Sequence, residues 1–137
     1  MSVFSEKKRK TLYYETGGIC IYCGRQIPFK ESTIDHIVPL AIGGKNEPVN
    51  AICSCINCNR KKGDLSIKQF IRKYSKKRRT AYLNRVRCLF EGDKISDEKY
   101  CRLLGDFSEE PKTTRLNFKL GRFRLLGRFY VSPVSSL

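Results

Sequence analysis

The sequence has few of the features that membrane-spanning or secreted proteins need. Its 137 residues include no tryptophan, one methionine and one histidine, His36. No apolar run approaches the roughly 18 residues of a membrane-spanning helix, so we expect no membrane contact. The first ten residues, MSVFSEKKRK, are charged and no apolar stretch follows them, which does not fit a secretory signal. We therefore expect a cytoplasmic chain that forms one compact domain with room for an appendage.

Acidic residues are also scarce relative to basic ones. The chain has 13 Asp and Glu against 28 Lys and Arg, a net charge of +15, and its pI is about 9.8. The excess lies mostly in residues 65–137, which carry 18 basic and 7 acidic side chains. A small soluble domain typically needs a net charge of only about 2–8. The balance predicts a polyanionic partner, most simply nucleic acid, although a merely solvated surface is the alternative.

The seven cysteines include two pairs with the spacing of metal ligands. Cys20 pairs with Cys23 and Cys55 with Cys58, and each Cys-x-x-Cys spacing lets two thiolates bind one tetrahedral ion. Two pairs together predict a structural four-cysteine zinc site, and four buried thiols without metal are the alternative. We interpret the remaining cysteines as core residues: Cys53, Cys88 and Cys101.

Local patterns predict a mixed helix and strand fold over the first half. Ser5 is a predicted cap for a helix that runs to Glu15. Thr33–Leu40 is β-branched and apolar, which favours a strand, and Asn50–Ser54 is a candidate return strand. The segment between them contains Gly43, Gly44 and Pro48 and is predicted to turn the chain.

Beyond Asp64 the pattern becomes helical. Ser66 precedes apolar residues at helical spacing, a second helical pattern ends at Gly92, and Ser96 is a predicted cap for a third helix. LNFKL (116–120) and RFYV (128–131) resemble short strands. GRFRLLGRFY (121–130) interleaves arginine with aromatics, which suits base stacking or an amphipathic strand equally well. The basic run Lys76, Lys77, Arg78 and Arg79 is a candidate for phosphate contact, with a solvated helix face as the alternative.

The unit between the cysteine pairs contains residue types that phosphodiester hydrolysis needs. His36 can activate water because the pKa of an unperturbed imidazole lies near neutrality. Asp35 and Asn59 can offer oxygen ligands to a hard cation that neutralises charge on the phosphate. Neighbouring residues of a strand point to opposite faces, so the adjacent Asp35 and His36 predict a strand end or a bulge.

The segment IDHIVPLAIGGKNEPVNAICSCINCNRKKGD resembles the HNH endonuclease family in its cysteine-bearing form. The resemblance covers about residues 8–65 and implies the ββα-metal fold, in which two strands and a helix surround one divalent cation. It implies that His36 is the general base and that Asn50 orients it and braces the loop. It further implies that Asp35 and Asn59 bind Mg²⁺ or Mn²⁺ and that Lys62 meets a phosphate oxygen.

One position departs from the commonest family pattern. Asn59 stands where the family often has histidine, and it still offers an oxygen ligand. An amide oxygen makes the site harder, which favours Mg²⁺ or Mn²⁺ over a second zinc ion.

Together these observations predict an α+β protein. Residues 1–65 are expected to form an HNH core held by one zinc site, and residues 66–137 a basic, mainly helical extension that ends in short strands and serves DNA contact or dimerisation. The expected function is metal-dependent hydrolysis of double-stranded DNA, with one nick per active site. The alternatives are a non-catalytic zinc module that binds nucleic acid and a non-specific or RNA-cleaving nuclease. A bacterial or phage setting follows only from the resemblance.

Overall fold

The computed structural model describes residues 4–105, which contain a two-stranded sheet and five α-helices. In chain order the elements are α1 (Glu6–Glu15), β1 (Ser32–His36), β2 (Ala51–Cys55), α2 (Ile56–Lys62), α3 (Ile67–Arg72), α4 (Lys76–Glu91) and α5 (Asp97–Leu104). The mixture of a small sheet and helices confirms the α+β expectation here. None of these helices is long and apolar enough to cross a membrane. The strands expected at 116–120 and 128–131, and the segment 121–130, lie outside the described residues.

Serine side chains cap four of these helices. Ser5, Ser66 and Ser96 each accept a hydrogen bond from the backbone N–H three residues ahead, as the sequence predicted. Ser75 does the same for α4. Because α4 begins at this cap, the basic run 76–79 forms its first turn.

The sheet is antiparallel, with Ser32 opposite Cys55 and His36 opposite Ala51. β1 ends at His36, four residues earlier than predicted. The backbone N–H of Ile37 still donates to the carbonyl of Asn50 at 2.9 Å, but Pro39 has no N–H with which to extend the pairing. The chain then closes so tightly that a Cβ at Gly44 would lie 1.8 Å from the carbonyl oxygen of Val38. β1 is therefore short and a tight loop follows it.

Aromatic packing joins the later helices to the first cysteine pair. The ring of Tyr22 lies edge-on to Phe70 of α3, with centroids 5.3 Å apart, and stacks on Tyr82 of α4 at 5.9 Å. Arg85 of α4 donates to the carbonyl oxygens of Ile21 at 2.9 Å and of Tyr22 at 2.6 Å. Residues 66–91 thus share their core with the first half of the chain. The predicted division at residue 65 stays a prediction about function.

α5 is held by a buried ion pair and a ring stack. The ammonium of Lys99 lies 2.9 Å from the carboxylate of Glu15 in α1, and it is largely buried. Phe90 and Tyr100 stack with their centroids 4.0 Å apart. These contacts place α5 beside both α1 and α4.

The interpretation of two cysteines as core residues is wrong. Cys88 is exposed and Cys101 is only half-buried. The buried face of α4 carries Tyr82, Val86 and Phe90. Cys88 lies two residues after Val86, and at 100° per residue it is turned about 200° away from that face.

Replacing Arg85 with alanine tests the contact between α4 and the first cysteine pair. The change removes a charged donor from two carbonyl oxygens, so the free energy of unfolding should fall by about 1–3 kcal/mol in urea denaturation. Arg72→Ala, at an exposed position of α3, is the matched control and should change it by less than about 0.5 kcal/mol. Equal losses in the two variants would contradict the importance of the Arg85 contact.

Candidate active site and metal centre

Four cysteines meet in one cluster at the boundary of the sheet and the later helices. The sulfur atoms of Cys20, Cys23, Cys55 and Cys58 all lie within 4.8 Å of one another, and those of Cys23 and Cys55 are 3.9 Å apart. Zn–S bonds of about 2.3 Å in a tetrahedron put sulfurs about 3.8 Å apart. The cluster can hold a metal ion, and its donor set fits zinc.

Local backbone structure presents each pair. The chain turns tightly after Cys20, whose carbonyl accepts from the N–H of Gly24 at 2.8 Å, and Gly24 has a φ of 79° that suits glycine. Cys55 is the N-cap of α2, and its sulfur accepts from the N–H of Cys58 at 3.4 Å. Each pair therefore forms a turn that points its thiols toward the other.

Within the cluster, the sulfur of Cys20 is favoured as the thiolate. The thiol of Cys58 donates to Cys20 and lowers the pKa of Cys20 to about 4, while the same bond raises the pKa of Cys58. The buried hydroxyl of Tyr74 has no hydrogen-bond partner among the described residues. Burial is the main cause that raises the pKa of this hydroxyl. Arg78 lies 4.3 Å over the ring of Tyr74, so a guanidinium covers the tyrosine beside the cluster.

Among the described residues, Cys53 is not one of the four cysteines of the cluster. Its side chain is fully buried, and burial raises the pKa of its thiol to about 11. It is therefore a neutral core residue at pH 7, in agreement with the interpretation from the sequence.

A second site is an open cavity of about 350 Å³ beside the end of β1. Its lining residues are Ile34, Asp35, His36, Pro39, Leu40, Asn59, Gly63 and Asp64. Asp35, His36 and Asn59, which the motif singles out, thus share one cavity. The strand end expected at this point is present, since His36 is the last residue of β1 and no bulge interrupts its pairing.

The imidazole of His36 is half-buried and contacts Asn46. Its Nε2 lies 3.0 Å from the Oδ1 of Asn46. An amide oxygen only accepts hydrogen bonds, so Nε2 carries the proton and Nδ1 is left as the basic nitrogen. Asn46 was missed by the sequence reasoning, because a polar residue in a turn segment has no distinguishing pattern.

Asn50 lies outside the cavity lining and braces the loop behind it. Its side chain is fully buried, accepts from the N–H of Val38 at 2.8 Å, and donates to the carbonyls of Val38 and Lys45, each at 2.9 Å. Its backbone carbonyl also holds Ile37, the residue after His36. The structure therefore places Asn50 where it supports the His36 backbone and does not contact the imidazole.

Asp35 is buried and bound on one oxygen. Its Oδ2 accepts from the hydroxyl of Tyr22 at 2.5 Å and lies 3.1 Å from the ammonium of Lys62. Burial raises the pKa of Asp35, and the charge of Lys62 and the hydrogen bond from Tyr22 act in the opposite direction. The carboxylate is thus costly to ionise in this place, and a cation in the cavity would favour its charged form.

The expected phosphate contact at Lys62 needs correction. Lys62 is fully buried, and its ammonium contacts Asp35 and donates to the carbonyl of His36 at 2.9 Å. It lies three residues after Asn59 on the same face of α2, as expected, but that face packs against β1. Its charge therefore acts on Asp35 and the strand end from inside the protein.

Oxygen donors surround the cavity from a second side. The amide nitrogen of Asn59 donates to the hydroxyl of Thr33 at 3.1 Å, which orients the side chain and leaves its Oδ1 for a ligand. Asp64 adds an exposed carboxylate that the sequence reasoning missed. Gly63 ends α2 with φ 50° and ψ −125°, a glycine conformation that turns Asp64 back to the cavity. Carboxylate and amide oxygens are the ligands that Mg²⁺ and Mn²⁺ prefer.

The basic run lies apart from the cavity lining. Lys76, Lys77 and Arg78 are exposed, and Arg79 is half-buried. Four cations in a first helical turn oppose the helix dipole, so a polyanion nearby would relieve an unfavourable local charge.

Comparison with known proteins agrees with this geometry. Residues 20–75 match the family model described as HNH endonuclease, so the resemblance to that family is confirmed over this segment. A curated relative, the CRISPR-associated endonuclease Cas9 of Corynebacterium diphtheriae, is 46% identical over 46 residues, which are 33% of this chain and 4% of that protein.

Solved structures give the same picture. The Type II-C Cas9 enzyme of Actinomyces naeslundii is 25% identical, with a TM-score of 0.54 over 75% of this chain and 12% of that chain. Streptococcus thermophilus Cas9 in complex with the AGAA PAM is 22% identical and shows the likeness of fold alone, with a TM-score of 0.57 over 74% of this chain and 11% of that chain. This chain spans only a small part of each relative.

Serine substitutions test the metal cluster. Cys23→Ser should lose the one zinc ion per chain that we expect, measured by plasma mass spectrometry. Its midpoint of thermal unfolding should fall by roughly 10 °C or more, because a structural zinc site contributes several kcal/mol to folding.

Cys53→Ser is the matched control, since it changes a buried cysteine outside the cluster. It should keep the full zinc content. Zinc loss in both variants, or in neither, would contradict the assignment of the cluster.

Proposed function

We propose that this chain, which contains an HNH endonuclease segment at residues 20–75, hydrolyses phosphodiester bonds in DNA. The observation that carries the proposal is one cavity lined by His36, with Nδ1 left as a base, and by the oxygen donors Asp35, Asn59 and Asp64. A module that only binds nucleic acid has no use for a base oriented beside hard metal ligands.

His36 performs the proton transfer in this mechanism. Asn46 holds the proton on Nε2, so Nδ1 can accept a proton from the attacking water. Asn50 keeps the loop around His36 in place through its bonds to Val38 and Lys45. The imidazole is therefore oriented by Asn46, and its loop is held by Asn50, before substrate arrives.

Asp35 and Asn59, with Asp64 beside them, would hold Mg²⁺ or Mn²⁺. When bound, such an ion supplies positive charge to the phosphate and to the leaving 3′ oxygen. Lys62 keeps the carboxylate of Asp35 and the carbonyl of His36 together, which holds the ligand and the base at a common strand end. The cysteine cluster holds zinc as a structural ion.

The basic surface serves to hold the substrate. Residues 1–65 form the nuclease core, and residues 66–137 supply a basic extension for DNA contact or dimerisation. Lys76, Lys77, Arg78 and Arg79 bind backbone phosphates in the first turn of α4. One site cuts one strand of a duplex, so a double-strand break needs a homodimer or two separate events.

A plasmid-relaxation assay tests the activity. The wild type should nick supercoiled DNA with Mg²⁺ or Mn²⁺ and not with EDTA, and His36→Ala should lose about 10²-fold or more of the rate. Asn46→Ala should lose about 10-fold, because His36 stays but its tautomer is no longer held.

The same lanes decide between the proposal and its alternatives. A wild type that retains DNA on a gel but never cuts it would be a non-catalytic zinc module. Faster cleavage of an RNA substrate in parallel would identify a ribonuclease. Equal rates in wild type and His36→Ala would refute the role of His36.

The salt dependence of DNA binding tests the basic run. Lys77→Ala should weaken binding uniformly across sequences, and it should reduce the slope of log K against log salt by about 1, because one phosphate contact is lost. Lys94→Ala removes an exposed charge outside the run and should leave the slope unchanged. An unchanged slope for Lys77→Ala would show that the run is a solvated face.

A further inference from the structure

We propose that Tyr22 is a positioning residue for the catalytic cation. Tyr22 lies between the two cysteines of the first pair. Its hydroxyl holds Oδ2 of Asp35, so that Oδ1 faces the ion. This inference rests on the proposed function, since it concerns the metal site of the same cavity. It also gives the zinc cluster a role in metal binding at the second site.

The two carboxylate oxygens of Asp35 differ in their contacts. The hydroxyl of Tyr22 donates to Oδ2 at 2.5 Å, and the ammonium of Lys62 lies 3.1 Å from the same atom. Among the described residues these are the polar side-chain contacts of the carboxylate, so Oδ1 is the oxygen left for a ligand. Because Asp35 lines the cavity while only 4% exposed, this one oxygen is its accessible part.

The position of the Tyr22 hydroxyl is set by its surroundings. The ring is 1% exposed, lies edge-on to Phe70 and stacks on Tyr82. The backbone carbonyl of Tyr22 accepts from Arg85 at 2.6 Å. Ring and backbone are thus both held, and the hydroxyl meets Asp35 at a defined point. A carboxylate on a free rotamer would have to be ordered when the ion binds.

The cysteine cluster lies directly beside this tyrosine. Tyr22 is two residues after Cys20 and one before Cys23, so the turn of the first pair sets where its backbone lies. The cluster also fixes Cys55 at the start of α2, which carries Asn59. The positions of Asp35 and Asn59 therefore both depend on the same four sulfurs.

A simpler role for the hydroxyl is to satisfy a buried partner, as the neighbouring tyrosine does. The hydroxyl of Tyr82 donates to the carbonyl of Leu103 at 2.5 Å, and its ring is also fully buried. Tyr82→Phe and Tyr22→Phe remove the same group from adjacent stacked rings and keep the packing. Tyr22→Phe loses the hydrogen bond to Asp35, whereas Tyr82→Phe loses the one to Leu103.

The test is Mn²⁺ binding to the full chain without DNA, measured from the free Mn²⁺ signal in electron paramagnetic resonance. Tyr22→Phe should weaken Mn²⁺ binding about 10- to 100-fold, as expected when a partner of a metal ligand is lost. Tyr82→Phe should stay within about 3-fold of wild type. In the cleavage assay, the half-saturating Mn²⁺ concentration of Tyr22→Phe should rise by a similar factor, while the rate at saturating Mn²⁺ stays within about 3-fold.

A second comparison assigns the effect to Asp35. In the Asp35→Ala background, adding Tyr22→Phe should change Mn²⁺ binding no further. Equal Mn²⁺ binding by Tyr22→Phe and Tyr82→Phe would overturn the inference, and so would an effect that persists without Asp35 or a wild type that binds no Mn²⁺. Loss of zinc or of cooperative unfolding in Tyr22→Phe would place the hydroxyl in folding and also overturn it.

The binding measurement is independent of the proposed activity. A wild type that binds Mn²⁺ through Tyr22 and Asp35 but cuts no nucleic acid would refute the nuclease and keep the positioning role. A wild type that cuts DNA, and whose Mn²⁺ affinity is unchanged by Tyr22→Phe, would support the nuclease and refute the positioning role.

Discussion

The meeting of two distant cysteine pairs is the constraint on which the rest of the site depends. It joins the turn at residues 20–23 to the start of α2, and these segments lie at the two ends of the unit that contains β1 and β2. From one end the turn sends Tyr22 to Asp35, and from the other α2 presents Asn59 and Lys62. A small core can position a polar site in this way if a metal ion held by the four cysteines supplies part of its folding energy.

This arrangement costs free energy because it buries charged groups beneath the cavity. Removing Asp35 and Lys62 from water is unfavourable, and their mutual attraction offsets the cost only with good geometry and further hydrogen bonds. The hydroxyl of Tyr22 and the carbonyl of His36 supply those bonds. In return, the orientation of the Asp35 carboxylate is fixed: one oxygen is bound inside the protein and the other faces the cavity. A more apolar core would be easier to fold but would present no ligand.

Much of the fold was predictable because its signals are local. Serine caps mark where α1, α3 and α5 begin, and the cysteine spacing marks the cluster. The end of β1 was misplaced because Asn50, twelve residues after Val38, competes for the backbone of the next residues. Asn46 and Asp64 went unnoticed since neither has a periodicity or a spacing that marks it. Each reaches the site through a turn that depends on tertiary contacts.

By itself, the sequence determined the donor chemistry: thiolates for a soft, tetrahedral ion, carboxylate and amide oxygens for a hard one, a single imidazole, and an excess of positive charge. Only the tertiary structure decided which of these groups meet and which are hidden. It buried Lys62, exposed Cys88 and placed Tyr22 between the cysteine cluster and Asp35. The physical reason is the distance along the chain over which each effect acts. Residue type and spacing act over one or two turns of chain, whereas burial is set by which distant surfaces pack together.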